Sequence, residues 1–259
     1  MIGRRFLCEA NTAERRAIIH ASLLADARVE VTLNRGAGPD QSLLFLGAVP
    51  VGSVEFVQQA LRILGVAEPP SLSYPASLRG FMRRSCHKTT AGKVSHRAFV
   101  KPVKPKLFTG FVYEPESPMD RLSEHDWQQL LAFRGLKATE QVWIADVVKW
   151  ASEVRYYVLN GQVIGSARYD NGPNDAWLPD ENVVEQMVAH TRAAHRFPVA
   201  FALDVGVLST GETALVECND AWALGFYPWG TLTTGDYCRM LTARWQELTA
   251  HSMLGGATY

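Results

Sequence analysis

Residues 201–225 read FALDVGVLSTGETALVECNDAWALG, and the reading of the whole chain turns on how this stretch folds. Two apolar runs rich in β-branched residues flank Thr210-Gly211, which predicts two antiparallel strands joined by a tight turn. With a two-residue loop, paired residues have numbers summing to 421, so Asp204 stands opposite Glu217. Side chains alternate along a strand, so Asn219 shares the face of Glu217. Opposed residues in an antiparallel pair have Cβ atoms roughly 5 Å apart, and like charges there repel. Two facing carboxylates and an amide oxygen fit a hard divalent cation, because Mg²⁺ takes oxygen ligands. The plainer alternative is two surface acids on an exposed sheet face, but Asp is a poor strand residue and needs a reason to be there.

Around this stretch lies a chain of 259 residues, long enough for a large core and two small domains or lobes. With 47% hydrophobic and 20% charged residues, the composition is that of a soluble globular protein. Formal net charge is zero, which argues against a protein that coats a polyanion, and no clear nucleic-acid signal is present. Cys8, Cys86, Cys218 and Cys238 make no CxxC pair and no zinc spacing, so they read as reduced thiols of a cytoplasmic protein. No apolar run has the ~20 residues needed to span a bilayer, and the N-terminus lacks the apolar core of a signal peptide.

From the N-terminus, residues 4–8 predict a strand, and Asn11 or Thr12 caps a helix through about Asp26. Val29–Asn34 and the apolar run Leu43–Val49 predict strands. Ser53 caps a helix that stops at Gly65. Residues 1–90 therefore read as a small α/β domain. Residues 66–98, with Pro69, Pro70 and Pro75 and a basic cluster including Arg79, Arg83, Arg84 and Lys88, read as the junction. The cluster is either a solvated linker face or a source of arginines for an anionic substrate.

Residues 91–259 form the second unit, with lobes over about 95–150 and 151–250. His96–Val103 predicts a strand carrying Lys101, followed by Lys104, Lys106, Thr109 and Gly110, a grouping able to hold phosphates. Ser123 opens a helix to about Phe133, and Gln141–Val148 predicts an apolar strand interrupted by Asp146. Lys149–Ser152 reads as a connection to a hairpin turning at Asn160-Gly161, the strongest short-range hairpin signal. Partners there sum to 321, so Glu153 faces Arg168, with Arg155 on the same face. That face is either a cross-strand ion pair with a neighbouring arginine or the lining of a nucleotide cleft. Asp180 caps a helix over 181–195, and a last helix covers about 235–250. Between them, DAWALGFYPWG sets Trp222, Phe226, Tyr227 and Trp229 among glycines, as a pocket wall or a loop folded over the core.

These motifs together resemble the ATP-grasp superfamily over roughly residues 95–232, and the preceding α/β domain looks like a pre-ATP-grasp domain. The resemblance rests on the FVKPV strand, the apolar strand with Asp146 and then Glu153, the arginine-bearing hairpin, and Asp204…Glu217-Cys218-Asn219. It implies an α/β (α+β) fold in which two lobes grip ATP. It implies ATP contacts from Lys101, Lys106, Asp146, Val147, Lys149 and Glu153, and Mg²⁺ on Asp204, Glu217 and Asn219. Arg155 and Arg168 are implied as catalytic, and Asp220, Trp222 and Arg83 as substrate contacts. The implied activity is carboxylate–amine ligation through an acylphosphate, on an amino acid, peptide or protein tail. Phosphoryl transfer without ligation, and a nucleotide-binding regulator without turnover, are the alternatives. The chain departs from the family in its short phosphate loop, in lacking an arginine just before Asp204, and in Asp220-Ala221-Trp222 after the ExN motif.

Overall fold

Three sheets are built from three consecutive stretches of chain. They were seen in a computed structural model that describes residues 4–254 apart from 24–28, 35, 37, 106, 116–121, 171, 174 and 195–196. The first sheet is parallel, with β1 (Arg4–Cys8) between β2 (Val29–Leu33) and β3 (Val49–Val51). Helices α1 (Ala13–Leu23), α2 (Gln41–Phe45) and α3 (Val54–Ile63) accompany it. The Ser53 hydroxyl accepts from the Phe56 amide at 3.2 Å to start α3, which buries Phe56, Val57, Ala60 and Leu61. Gly65, at φ 67°, follows its end.

The expected strand over Leu43–Val49 is instead α2 and a turn. The Asp40 carboxylate accepts from the Leu43 amide at 3.1 Å, and Gly47 at φ 82° reverses the chain. A short apolar run fits a buried strand or a buried helix equally well, and here the cap and the glycine decide.

The second sheet is antiparallel, ordered β4 (Cys86–Thr90), β7 (Gln141–Ala145), β5 (Ala98–Pro102), β6 (Phe111–Tyr113). Its β4 lies inside the stretch read as a linker, so the junction ends before Cys86. Helix α4 (Glu124–Arg134), capped by Ser123, packs Phe133 edge-on against Phe108 and Phe111.

The third sheet is ordered β11 (Thr213–Asp220), β10 (Ala200–Leu208), β8 (Trp150–Leu159), β9 (Gln162–Arg168), all antiparallel. Trp150–Ser152 thus opens β8 rather than connecting to it. Every residue of the central strand β10 is buried. One face packs Phe201, Leu203 and Val205 on Val184, Met187 and Val188 of α5 (Glu181–Ala193). The other packs Ala200 and Ala202 with Tyr237, Met240, Leu241 and Trp245 of α6 (Thr234–Leu254). Burying each such large side chain contributes about 1.5–3 kcal/mol. The same core takes in Phe6, Leu7 and Ile18, so the first sheet and the third share one apolar interior. Asp204 is the next residue along this second face.

All four cysteines are free thiols. Among the described residues, no helix is long and apolar enough to cross a membrane.

Candidate active site

The hairpin β10–β11 turns over three residues, not two. The Leu208 amide donates to Glu212 O and Gly211, at φ 92°, donates back to Leu208 O, so Val207 pairs with Thr213. This is the three-residue loop with a left-handed glycine. It shifts the register by one residue. A β-bulge leaves Val216 unpaired and shifts it back, so that Asp204 does pair with Glu217.

Asp204 is 1% exposed, which rules out the surface-acid alternative. Its carboxylate accepts from Arg155 Nε at 2.7 Å and Arg155 Nη2 at 2.8 Å, a two-pronged pair across β8 and β10. Burial opposes the charge on Arg155, but Asp204 beside it holds the guanidinium above its usual range. The Asn219 amide donates to Asp204 Oδ2 at 2.8 Å and to Glu217 Oε1 at 3.2 Å. Lys101 Nζ, from the second sheet, pairs with Glu217 Oε2. Burial pushes the Lys101 ammonium down to about 8. The repulsion expected between the two acids is therefore answered within the protein by a guanidinium, an ammonium and an amide.

A cavity of about 520 Å³ lies between the second and third sheets; Lys101, Glu217 and Asn219 of this cluster line it, while the buried Asp204 and Arg155 are not part of its lining. Phe99, Lys101 and Pro102 of β5 line one side, and Val216–Asp220 of β11 with Glu153 the other. Asp146, Val147 and Val148 lie along it where β7 runs on toward β8. Asp146 is tied to Ser85 in both directions: its Oδ2 accepts from Ser85 N at 2.8 Å and its amide donates to Ser85 O at 3.1 Å. Glu153 accepts from the Tyr169 hydroxyl at 2.9 Å, and burial pushes its carboxyl up. Trp222 also lines the cavity.

Other expected residues lie elsewhere. A bulge in β8–β9 after Tyr157–Gly165 shifts that hairpin by one, so Arg168 pairs with Val154 rather than Glu153. A one-residue slip sends a side chain to the opposite face. Arg168 there forms a two-pronged pair with Asp170, at 2.8 and 2.7 Å, and does not line the cavity. Arg83 is exposed, at φ 52°, and lies outside the cavity lining. Lys149 is exposed and lies outside the cavity lining, and its backbone carbonyl accepts from the Ser209 amide at 2.8 Å. Asp220 touches the cavity, but its carboxylate is held by Arg244 Nε and Nη2 at 2.7 and 2.6 Å. Lys106 lies outside the described residues.

Two features had little signal in the sequence. Tyr169 and Tyr227 stack in parallel, with centroids 5.2 Å apart, and the Arg155 guanidinium lies 5.6 and 5.0 Å from their centres. Tyr157 fixes this arrangement by donating to Gly225 O at 3.2 Å and accepting from the Tyr227 amide at 3.1 Å. The other is Arg84, which reaches from the junction to the cavity wall. Only its place in the basic cluster hinted at it.

Residues 81–237, more than half of the chain, match a family described as an ATP-grasp domain, family 2 of its clade. The chain belongs to this ATP-grasp family. No curated protein matches the sequence. Among solved structures, D-cycloserine synthetase DcsG is similar at 15% identity and TM-score 0.56, over 94% of this chain and all of that one. The D-alanine–D-alanine ligase from Bacillus anthracis complexed with ATP is similar at 11% identity and TM-score 0.51, over 97% of this chain and 99% of the other. A structure of the ATP-grasp ligase PsnB complexed with minimal precursor matches at 17% identity and TM-score 0.42, and this chain spans 57% of its length. At such identities the likeness is one of fold, and the fold is ATP-grasp with mixed helices and sheets.

Proposed function

We propose that this ATP-grasp chain is an ATP- and Mg²⁺-dependent carboxylate–amine ligase, acting on an amino acid, a peptide or a protein tail. One observation carries the reading: Lys101 of one sheet pairs with Glu217 of another, and these two line a shared cavity of about 520 Å³ with Asn219, which also holds the buried Asp204. Such a cleft, cationic on one wall and acidic on the other, suits a metal-neutralised triphosphate.

The donor set fits Mg²⁺. Both carboxylates reach the same Asn219 amide group, and a half-turn of that amide presents its oxygen in place of its nitrogen. Among the described residues no three His, Cys, Asp or Glu side chains gather as a metal cluster. Two carboxylates and an amide suffice, because Mg²⁺ completes its shell with water and substrate phosphate oxygens. When bound, Mg²⁺ supplies charge neutralisation for phosphoryl transfer. Lys101 binds phosphate oxygens as a point charge from the opposite wall. Glu153 holds a sugar hydroxyl, with Tyr169 fixing its carboxylate. Asp146 and Val147 meet the base.

Arg155 uses Nε and Nη2 on Asp204 and does not line the cavity, so its part is to fix the Asp204 carboxylate for the cation and not, as expected of it, to touch the reacting groups. Trp222 and the loop through Tyr227 form the acceptor end.

The test is ADP release against a panel of amino acids and peptides with ATP and Mg²⁺. Release that requires both a carboxylate and an amine supports ligation. Release with a carboxylate or hydroxyl alone replaces it with phosphoryl transfer, and nucleotide binding without release under any mixture replaces it with a regulator.

A further inference from the structure

Among the described residues β11 is an edge strand, paired only with β10. Its outer backbone groups need partners, and the junction supplies them. The Cys218 amide donates to Ser73 O at 2.9 Å. Arg84 Nη1 donates to Leu215 O at 2.6 Å and Nη2 to Val216 O at 2.8 Å, while Nη1 also reaches Met82 O at 3.0 Å. The guanidinium is held 5.2 Å from the Trp150 ring centre and 5.9 Å from that of Tyr74.

Consecutive carbonyls of a regular strand point to opposite edges, so one guanidinium at an edge cannot bond two in a row. Leu215 and Val216 can be bonded together because the bulge turns their carbonyls the same way. Arg84 therefore recognises the bulged form of β11 and not the regular one. The difference matters for the acids. Without the bulge, the register beyond Val205–Leu215 continues with Val216 opposite Asp204 and Glu217 opposite Leu203. Glu217 then lies on the opposite face, that of Leu203 and the α5 core.

We propose that Arg84 is a positioning residue. It locks the bulge at Val216 and thereby keeps Glu217 facing Asp204, so that the junction before the second sheet sets the geometry of the candidate metal site. This rests on the Mg²⁺ reading above. The planar fork is required, since Nη1 and Nη2 each bond one carbonyl in a fixed geometry that the single nitrogen of a lysine, on its flexible stem, does not reproduce.

The test is titration of Mn²⁺, followed by its electron paramagnetic resonance, with a non-hydrolysable ATP analogue. It uses wild type, Arg84→Met, Arg84→Lys, and each variant with Val216 deleted. Deletion of Val216 gives a regular ladder in which Asp204 faces Glu217 without a lock. Both single variants are expected to weaken Mn²⁺ at least about tenfold. Analogue affinity without metal should hold within about threefold, and deletion of Val216 should restore Mn²⁺ binding. An equal loss of metal-free analogue affinity, or no rescue by the deletion, overturns the proposal and makes Arg84 a nucleotide contact or a general structural residue. Amide hydrogen exchange decides independently of metal: faster exchange of Arg84→Lys confined to residues 214–219 supports the lock, and unchanged exchange there overturns it. If wild type binds no Mn²⁺ with the analogue, the Mg²⁺ reading fails, and the exchange result still judges the lock. Should Arg84→Met not fold, Arg84→Lys carries both measurements.

Discussion

Asp204 lies directly across from Glu217, and two opposite irregularities put it there. The three-residue turn at Ser209–Gly211 displaces the ladder by one residue, and the bulge at Val216 returns it. Between Arg155 and Lys101, each acid has its own cation.

Glu217→Gln removes one charge from this set while keeping its shape. Mg²⁺-dependent ADP formation should fall at least about a hundredfold. Circular dichroism should be unchanged. Wild-type turnover in this variant removes Glu217 from the proposed metal site.

Lys101→Ala takes the cation from the opposite wall of the cavity. A hydrogen bond to a charged group contributes about 1.5–3 kcal/mol, so ATP binding by calorimetry should weaken about tenfold or more. Unchanged affinity places Lys101 in the ion pair with Glu217 alone.

Arg155→Met leaves the Asp204 carboxylate buried without its two-pronged partner. Breaking a buried pair at one side costs about 3–5 kcal/mol. Urea unfolding should show that loss, with ligation also lost. A variant as stable as wild type shows that Asn219 and Lys101 suffice for Asp204.

Arg244→Met tests the reassignment of Asp220. That pair is 8% and 7% exposed, and Asp220 also accepts from the Trp222 amide at 3.2 Å. About 3 kcal/mol of stability should go with it in urea unfolding. A loss near zero means that Asp220 is free to serve a substrate.

Much of the molecule was legible in its residues because local chemistry dictated it. Ser53, Ser123 and Asp180 cap the helices expected of them, and Asn160-Gly161 turns its hairpin at φ 51° and 70°. The apolar stretches at β5, β7 and β10 became the strands expected of them. Leu43–Val49 did not, because the Asp40 cap and the left-handed Gly47 turned it into a helix and a turn. Pairing rules counted from the turns failed in β10–β11 between the turn and Val216, because that loop has three residues rather than two, and in β8–β9 after Tyr157, because a bulge leaves no mark in composition. Arg168 left the site for that reason, while two shifts cancelled for Asp204.

Side-chain type, periodicity and order along the chain were enough for the ATP-grasp fold and for naming the candidate acids and lysine, because these are local properties. Which arginine meets which acid was settled by folding alone: Arg155 on Asp204, Arg168 on Asp170, Arg244 on Asp220 and Arg84 on the backbone of β11. An arginine reaches any acid that folding brings within a side chain's length, and residues far apart in number, such as Arg84 and Val216, meet only when the sheet edge and the junction are both in place.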